Sequence, residues 1–254
     1  MSNSQIIWTA HERYTEEADI TLICFPYAGG SATYFAPLKS KIDKRINICP
    51  VLYPGREKNM KIPFFDTIKK MAEQLVLDNE KLFRKRYALM GHCTGSLIAY
   101  ETALAAERIY GTRPEVFIAS SAPAPSCKQF FDDMNYTDDQ LTDQLINSHM
   151  IDRSFAENDM FSSYYLPLIK KDLEMHMRYR PHAPYKKMDT SVFVMYGDED
   201  SLFSDSEPIN RWSDHITGKV RSMAFHGGHF YLDKNREQAG QFISDLLLDT
   251  ERRK

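Results

Sequence analysis

Residues 91–95 read GHCTG and have the composition of a turn built around a nucleophile. They follow a short apolar run, Tyr87–Met90, and precede a helical pattern, Leu97–Tyr110. A sharp strand-to-helix turn strains its central residue and points that side chain out of the sheet, while flanking glycines let strand and helix pack closely. The amides that begin the helix favour a thiolate and an oxyanion at the same point. We therefore predict Cys93 as a nucleophile and the N–H of Thr94 as an oxyanion donor.

Carboxylate and imidazole candidates follow this turn along the chain. The apolar run Val192–Tyr196 leads to Asp198 and Asp200, at the carboxyl edge of a predicted strand, where the sites of open sheets lie. His226 and His229 come after the last predicted strand. Nucleophile, acid and base in this order are typical of α/β-hydrolases. We assign His229 as general base and Asp200 as the residue that orients it, with His226 and Asp198 as the respective alternatives.

A glycine-rich segment follows another predicted strand, where residues 25–31 read FPYAGGS. In α/β-hydrolases a loop at this position supplies one oxyanion donor. We therefore predict the N–H of Ala28 as the second donor, and Tyr27 and Phe230 as side chains that contact substrate. The segment lacks the GxxxxGK[ST] pattern, which excludes a phosphate-binding loop of that type.

Short apolar runs alternate with helical patterns along the chain, which is typical of a parallel α/β sheet. Pro50 falls inside one of these runs and indicates an edge strand or a bend. Helices are predicted from Asp66, over Leu97–Tyr110 and over Arg236–Leu248. Strands are predicted over Ile20–Phe25, Ile46–Tyr53, Tyr87–Met90, Val116–Ala119, Val192–Tyr196 and Val220–Phe225.

The alternation stops at residues 122–187, where three helical patterns replace it: Asp138–His149, Glu157–Leu166 and Leu168–Arg178. An insertion of this size in a compact domain is usually a lid or a binding element. We therefore predict one domain, residues 1–254, with an α/β-hydrolase fold: a mostly parallel sheet flanked by helices, with an inserted helical lid. The large apolar side chains of the insertion either pack its helices or form the wall of an acyl pocket. The candidates for substrate contact among them are Phe130, Phe131, Met134 and Phe161.

The composition excludes several classes of protein. The chain has 254 residues, 43% of them hydrophobic, and a formal charge of -3, which argues against nucleic acid as the main partner. No apolar stretch approaches the roughly 20 residues of a membrane span. The four cysteines show no CxxC pair and no metal-ligand spacing, and the first residues lack the pattern of a secretory signal. We expect a cytoplasmic monomer without disulfides or metal, which binds neither nucleic acid nor membrane.

Together these motifs resemble those of the type II thioesterases that accompany nonribosomal peptide and polyketide synthases. The resemblance implies a cytoplasmic enzyme that takes acyl groups from the 4'-phosphopantetheine arm of carrier proteins. By this resemblance, the family's nucleophile, acid and base correspond to Cys93, Asp200 and His229, and its oxyanion loop corresponds to Tyr27 and Ala28. No metal or organic cofactor is implied, because this mechanism needs none. The matching segments are FPYAGGSATYF (25–35), YPGRE (53–57), GHCTGSLIAYE (91–101), PLIKKDLEMHMRY (167–179), YGDED (196–200) and GGHFYL (227–232).

Three positions depart from the family's usual residues: Cys93 stands for serine, Thr94 for a bulky apolar residue and Tyr27 for histidine. The cysteine is consistent with natural thiol chemistry, an engineered replacement of serine or a decayed enzyme. A thiol holds the acyl group as a thioester, which favours amines and thiols over water as acceptors. The first alternative is therefore an acyltransferase, an aminoacyl shuttle or an amide-forming enzyme. A non-catalytic carrier-binding protein and a cysteine hydrolase of the dienelactone type are further alternatives.

Two short basic runs, residues 84–86 and 170–171, are candidates for a docking face, because carrier proteins are commonly acidic. The alternative is ordinary solvated surface charge. Arg56, in the YPGRE segment, is interpreted as the anchor of a loop rather than as a catalytic residue.

Overall fold

The computed structural model describes residues 5–127, 136–148, 150–181 and 184–249. These residues contain six strands: β1, Ile20–Phe25; β2, Ile46–Pro50; β3, Tyr87–His92; β4, Phe117–Ser120; β5, Val192–Gly197; and β6, Val220–Phe225. The strands form one sheet in the order β2-β1-β3-β4-β5-β6, and every neighbouring pair is parallel. The carboxyl ends of all six strands therefore lie at one edge of the sheet, where the loops that follow them meet.

Alternate residues along the strands enter two separate apolar cores, one on each face of the sheet. In β1, Ile23 and Phe25 join one core, whereas Leu22 and Cys24 join the other. All six residues of β1 are buried, as expected for a strand that is covered on both faces. The fold is thus a mostly parallel sheet flanked by helices, as the sequence predicts.

Helices cover both faces of the sheet. The α-helices of the described residues are α1, Ile68–Asp78; α2, Glu80–Phe83; α3, Thr94–Tyr110; α4, Asp138–Asn147; α5, Arg153–Ala156; α6, Leu166–Met177; α7, Glu207–Asn210; and α8, Arg236–Leu248. The 3₁₀ helices of the described residues lie at Ala32–Ser40, Glu57–Asn59, Ser201–Phe203, Arg211–Asp214 and Tyr231–Asp233. Helices α1 and α3 pack together on one face, while α8 and the first 3₁₀ helix contribute to the core of the other.

The two edge strands of the sheet are β2 and β6, and all five residues of β2 are buried. The sequence predicts a strand over Ile46–Tyr53, but β2 ends at Pro50, which has no N–H to donate to a ladder. Its position at the edge confirms the prediction made from this proline. The other edge strand, β6, has the predicted bounds, and five of its six residues are at least partly exposed.

The turn at residues 91–95 is tighter than the sequence patterns indicate. Strand β3 continues past Met90 to His92, and α3 begins at Thr94 rather than at Leu97. Cys93 is therefore the single residue between strand and helix. Apolar patterning misses these ends because glycine, histidine and threonine carry no apolar signal.

The insertion between β4 and β5 contains α4, α5 and α6. A π-helix, Phe161–Tyr165, runs into α6 without a break, so the patterns predicted as Glu157–Leu166 and Leu168–Arg178 form one helical segment instead of two. Pro167 gives the physical reason for the wider turn. Proline has no backbone N–H, and its ring crowds the carbonyl four residues earlier, that of Ser163, so a wider turn accommodates it better than a regular α-helical turn.

The insertion has a small apolar core of its own, which also contacts the body of the protein. Ala28, in the loop after β1, packs against it. None of the helices in the described residues is long and apolar enough to cross a membrane. The division into one domain with a lid at 122–187 stays a prediction. The buried members of this core are Leu141, Leu145, Phe161, Leu166, Ile169 and Leu173.

Candidate active site

Cys93 lies at the centre of the 91–95 turn, between β3 and α3. Its backbone has φ 54° and ψ -126°, a conformation that a residue with a side chain adopts only under strain. A Cβ at Gly91 would lie 2.2 Å from Cα of Ser96, and one at Gly95 would lie 2.2 Å from O of Phe25. Only glycine fits at either position. The turn therefore holds the thiol of Cys93, half-buried, at the carboxyl edge of the sheet.

His229 and Asp200 come from the loops after β6 and β5 and meet at the same edge. Nδ1 of His229 lies 2.8 Å from Oδ2 of Asp200, and both side chains are almost fully buried. Asp200 accepts a second hydrogen bond from N of Leu202 at 3.1 Å, and Ser121 donates from Oγ to the carbonyl of His229 at 2.8 Å. Nε2 of His229 has no well-aligned hydrogen-bond partner among the described residues. Because His229 and Cys93 line one cavity, Nε2 is the ring nitrogen available to exchange a proton there.

The charge of His229 depends on these neighbours. Burial disfavours the imidazolium, but the interactions with Cys93 and Asp200 outweigh it and raise the pKa of His229 to about 10. The ring is therefore protonated at neutral pH.

His92 belongs to a buried polar network behind the turn. Its Nδ1 lies 3.0 Å from Oγ of Ser120, which lies 2.7 Å from the hydroxyl of Tyr231. Burial, with His229 nearby, holds the pKa of His92 well below its usual range. His92 thus stays neutral, although its ring centroid is only 5.5 Å from that of His229. Sequence reasoning did not find Ser120 and Tyr231, because isolated hydroxyls carry no pattern.

Asp198 and His226, the alternative acid and base, form a separate exposed group. Asp198 accepts a hydrogen bond from N of Gly227 at 2.9 Å, and this bond holds the pKa of Asp198 below its usual range. The same oxygen lies 3.5 Å from Nδ1 of His226. With Glu199 these side chains are the one set of neighbouring potential metal ligands within the described ranges, and all three are exposed. The geometry therefore favours Asp200 and His229, while the absence of a metal requirement stays a prediction.

The loop after β1, residues 26–31, lies beside the 91–95 turn because β1 and β3 are adjacent. The N–H groups of Ala28 and Thr94 donate to no acceptor in the described parts of the chain. Thr94 begins α3, so its amide is one of those that a helix leaves unpaired. Ala28 lines the same cavity as Cys93. These two amides are therefore available to bind an oxygen that develops negative charge.

A narrow cavity of about 40 Å³ opens at Cys93. Tyr27 and Phe230, predicted to contact substrate, both line it, with their ring centroids 4.8 Å apart. A larger cleft of about 480 Å³ adjoins it and shares part of its wall. The insertion covers the cavity with the apolar side chains Leu145, Met150, Ile151, Ile169 and Leu173.

The remaining substrate-contact candidates lie elsewhere. Phe161 is 1% exposed, packs in the core of the insertion and is not among the described residues that line the cavity, so its contact with substrate stays a prediction. Its ring is large and apolar, and the other side chains of the insertion core bury it. Phe130, Phe131 and Met134 lie outside the described residues.

The basic run at residues 84–86 lies at the edge of the sheet opposite to Cys93. It directly precedes β3 at its amino end, whereas Cys93 follows its carboxyl end. Its three side chains are paired with Glu80, Glu16 and Glu115. The structure thus favours ordinary surface charge for this run. Residues 170–171 lie on α6, in the insertion, and pair with Asp138 and Glu174.

Asp172, in α6, is a buried acid that sequence reasoning missed. Its carboxylate accepts hydrogen bonds from both terminal nitrogens of Arg56, at 2.7 and 2.9 Å, and from N of Gly29 at 2.7 Å. The signal was present in the sequence, because Asp172 falls between Ile169 and Leu173 on the apolar face of an amphipathic helix. A charge at such a position indicates a buried partner.

Comparison with known proteins groups the chain with thioesterases. The model of the family described as "Thioesterase domain" matches residues 20–247. Thioesterase PikA5 of Streptomyces venezuelae is 29% identical over 254 residues, which cover 96% of this chain and 86% of that protein. The medium-chain S-acyl fatty acid synthase thioesterase of Rattus norvegicus is 29% identical, covering 86% and 83% of the two chains. The solved structure of BorB, a type II thioesterase from the borrelidin biosynthetic cluster, is 28% identical, with a TM-score of 0.82 over 95% of this chain and 98% of that one.

The family match coincides with the sheet and the helices that support it. It begins at the first residue of β1 and ends within α8, so it includes every strand and every loop that contributes to the site. The similarity to BorB extends over almost the whole of both chains, including the insertion. The chain therefore belongs to the thioesterase domain family and has its α/β-hydrolase fold.

Proposed function

We propose that this protein is a type II thioesterase that releases acyl or aminoacyl groups from phosphopantetheinyl carrier proteins of a peptide or polyketide synthase. The observation that carries the proposal is the buried 2.8 Å contact between His229 and Asp200, beside the cavity that contains Cys93. Membership of the thioesterase family supports thioester chemistry. The similarity to BorB, which comes from a borrelidin biosynthetic cluster, supports the synthase context.

Acylation begins with attack of the Cys93 thiolate on the carbonyl carbon of the carrier thioester. The carbonyl oxygen becomes negative and accepts hydrogen bonds from the N–H groups of Ala28 and Thr94. The bond to the pantetheine sulfur then breaks, and this sulfur takes the proton from Nε2 of His229. Asp200, which accepts the hydrogen bond from Nδ1, keeps the ring oriented throughout. The products are a free carrier thiol and an acyl group bound to Cys93.

Deacylation uses the same groups in the reverse protonation state. His229 is now neutral and accepts a proton at Nε2 from a water that attacks the acyl carbon. Collapse of the second intermediate releases the carboxylic acid and restores the thiolate of Cys93 and the imidazolium of His229. Because the acyl-enzyme is still a thioester, the choice between water, amine and thiol as acceptor depends on access to the cavity.

The insertion is the element that controls this access in our proposal. It covers Cys93 with apolar side chains, and the cavity of about 40 Å³ is too narrow for a long acyl chain unless the insertion moves. We therefore propose that residues 122–187 act as a lid over a single domain. An open lid admits the phosphopantetheine arm, and a closed lid holds the acyl group in a site with little water.

Intact-protein mass spectrometry with an acyl-pantetheine thioester tests the proposal. We expect an acyl adduct on Cys93 that disappears in water at the rate of turnover, and no adduct on Cys93→Ala. An adduct that persists in water but disappears with an added amine or carrier thiol would instead identify an acyltransferase, the alternative that the thiol nucleophile favours. If the wild-type protein forms no adduct, the assignment of the nucleophile is wrong.

The two candidate acids give the sharpest test of the catalytic assignment. Asp200→Asn should lower kcat/KM by about 10³–10⁴-fold, because His229 loses the partner that orients it. Asp198→Asn is the matched control and should change kcat/KM by less than about threefold, as for an exposed residue away from the reacting atoms. Steady-state hydrolysis of a pantetheine thioester measures both. Equal losses in the two variants would contradict the assignment.

The pKa of His229 provides an independent measurement. Loss of the Asp200 interaction should lower the pKa of His229 from about 10, which an NMR titration of the imidazole detects. The folded-state pKa lies above the unfolded value of about 6.5. Protonated His229 therefore stabilises the fold at pH values below about 6.5, and this contribution disappears as the pH rises through about 10. Asp200→Asn should weaken this alkaline loss of stability.

A further inference from the structure

Arg56 and Asp172 form a buried ion pair between two segments that lie far apart in the sequence. Arg56 is 1% exposed and Asp172 is 7% exposed. The guanidinium and the carboxylate meet through two hydrogen bonds, from Nη2 to Oδ1 at 2.7 Å and from Nη1 to Oδ2 at 2.9 Å. Removing two charges from water is costly, and an apolar pair of similar volume often stabilises a fold as well or better. Stability alone is therefore a weak reason for this pair.

Both partners also hold the 26–31 loop. Oδ2 of Asp172 accepts a hydrogen bond from N of Gly29 at 2.7 Å, and Nη1 of Arg56 donates to the carbonyl of Gly30 at 2.7 Å. The N–H of Gly29 belongs to the peptide unit that directly follows the one carrying the N–H of Ala28, and the carbonyl of Gly30 lies two peptide units further on. A displacement of the ion pair therefore displaces the predicted oxyanion donor.

Helix α6 fits against the same loop by shape as well as by charge. Gly29 has φ +77°, and a Cβ at this position would lie 2.2 Å from Cγ1 of Ile169. Ile169 is three residues before Asp172, so both side chains lie on the same face of α6. At the other end of the loop, the hydroxyl of Tyr53 donates to the carbonyl of Pro26 at 3.0 Å. The body thus holds one end of the loop, while the middle depends on a helix of the insertion.

We propose that Asp172 and Arg56 are positioning residues for the oxyanion hole, and that they couple the geometry of the oxyanion hole to the position of α6 against the 26–31 loop. With α6 in place, the carboxylate of Asp172 holds N of Gly29 and the guanidinium of Arg56, and these contacts fix the loop that carries the N–H of Ala28. When α6 moves away, the loop loses this acceptor, and the oxyanion donor is no longer held. The site can therefore catalyse acyl transfer only while the insertion covers it. This inference rests on the proposed function, because it requires an acyl transfer that develops an oxyanion.

Two reactions of the same thiol separate positioning from a general structural effect. Acylation of Cys93 by an acyl-pantetheine thioester develops an oxyanion, whereas alkylation by iodoacetamide displaces iodide from a saturated carbon and develops none. The variants are Asp172→Asn and the double variant Arg56→Met/Asp172→Leu, which removes both charges and leaves none unpaired. We expect acylation to slow by about 10- to 10³-fold in both, as for loss of an oxyanion donor. Alkylation should stay within about threefold of the wild type, since the nucleophile is unchanged.

The matched control is Lys171→Gln, next to Asp172. It removes an exposed ion pair with Glu174 from the same helix and should alter neither reaction. Wild-type rates of acylation in both Asp172 variants, or equal slowing of acylation and alkylation, would overturn the inference. A wild-type protein that is alkylated but never acylated would overturn the proposed function and the inference with it. Normal wild-type acylation with unaffected variants would overturn the inference alone.

Discussion

The 91–95 turn and the 26–31 loop lie side by side at the carboxyl ends of β3 and β1, yet different contacts hold them. The turn is held by its own residues and by the adjacent strands of the sheet, since N of Cys93 also donates to O of Ser120, in β4, at 2.8 Å. Oγ of Ser96 donates to the carbonyl of Gly91 at 2.6 Å, and no side chain fits between Gly91 and Ser96. The loop is held by residues from distant segments: Arg56 follows β2, and Asp172 belongs to the insertion. The nucleophile is thus built into the body of the protein, whereas its oxyanion donor depends on a separate element.

Because of this difference, we expect changes in the two segments to affect different properties: the stability of the fold for the turn and the catalytic activity for the loop. A change in the 91–95 turn distorts the junction of a buried strand with a buried helix, so we expect it to affect the whole fold. A change in the 26–31 loop affects a surface connection that carries one predicted donor. We therefore expect it to lower activity while the sheet remains intact.

Gly95→Ala should have the largest effect. The new Cβ would lie 2.2 Å from O of Phe25 and 2.5 Å from O of Pro26, and the backbone of β1 cannot move away. We expect the free energy of unfolding to fall by more than about 3 kcal/mol, measured by urea denaturation. Gly111→Ala is the control, because this glycine also has a positive φ, +67°, but a Cβ there would have no heavy atom within 4 Å. This substitution should lower the free energy of unfolding by only about 1 kcal/mol. Similar losses of unfolding free energy in the two variants would show that the contact between residue 95 and the backbone of Phe25 is unimportant for stability.

Gly29→Ala should have a smaller effect on stability and a clear effect on catalysis. We expect a loss of about 1–2 kcal/mol from the positive φ and a fall in kcat of about 10- to 100-fold from displacement of the loop. Ile169→Ala, which removes the side chain that the new Cβ would meet, should restore part of kcat in the double variant. Stopped-flow acylation and thermal unfolding measure the two effects. Additive losses in the double variant would contradict the proposed contact between α6 and the loop.

Lys85→Glu should have the smallest effect. Lys85 is exposed, pairs with Glu16 and lies at the amino edge of the sheet, opposite the site. We expect less than about 0.5 kcal/mol in stability and no change in turnover of a carrier-bound thioester. Turnover of the free pantetheine thioester is the internal control. If turnover falls only for the carrier-bound substrate, the basic run at residues 84–86 is a docking surface after all.

The sequence patterns predict much of the fold because they record local requirements. Pro50 indicates an edge strand since proline cannot donate to a ladder, and β2 is at the edge. The sequence predicts Asp200 only with Asp198 as its alternative, because both follow β5 within three residues; in the structure Asp200 is buried and Asp198 is exposed. The burial of Phe161 was not predictable for a related reason, since an apolar ring looks the same in a sequence whether a helix or a ligand covers it.

By itself the sequence determined the sheet, the strained turn at Cys93 and the order of the catalytic candidates, because strand periodicity, glycine spacing and chain order are local properties. Only the tertiary structure decided that Asp200 meets His229, that Phe161 is buried in the core of the insertion and that Asp172 reaches Gly29 across 143 positions. These outcomes depend on which loops converge at the carboxyl edge of the sheet and on which charges can be buried together. Convergence and burial arise from packing the whole chain, so no single segment specifies them.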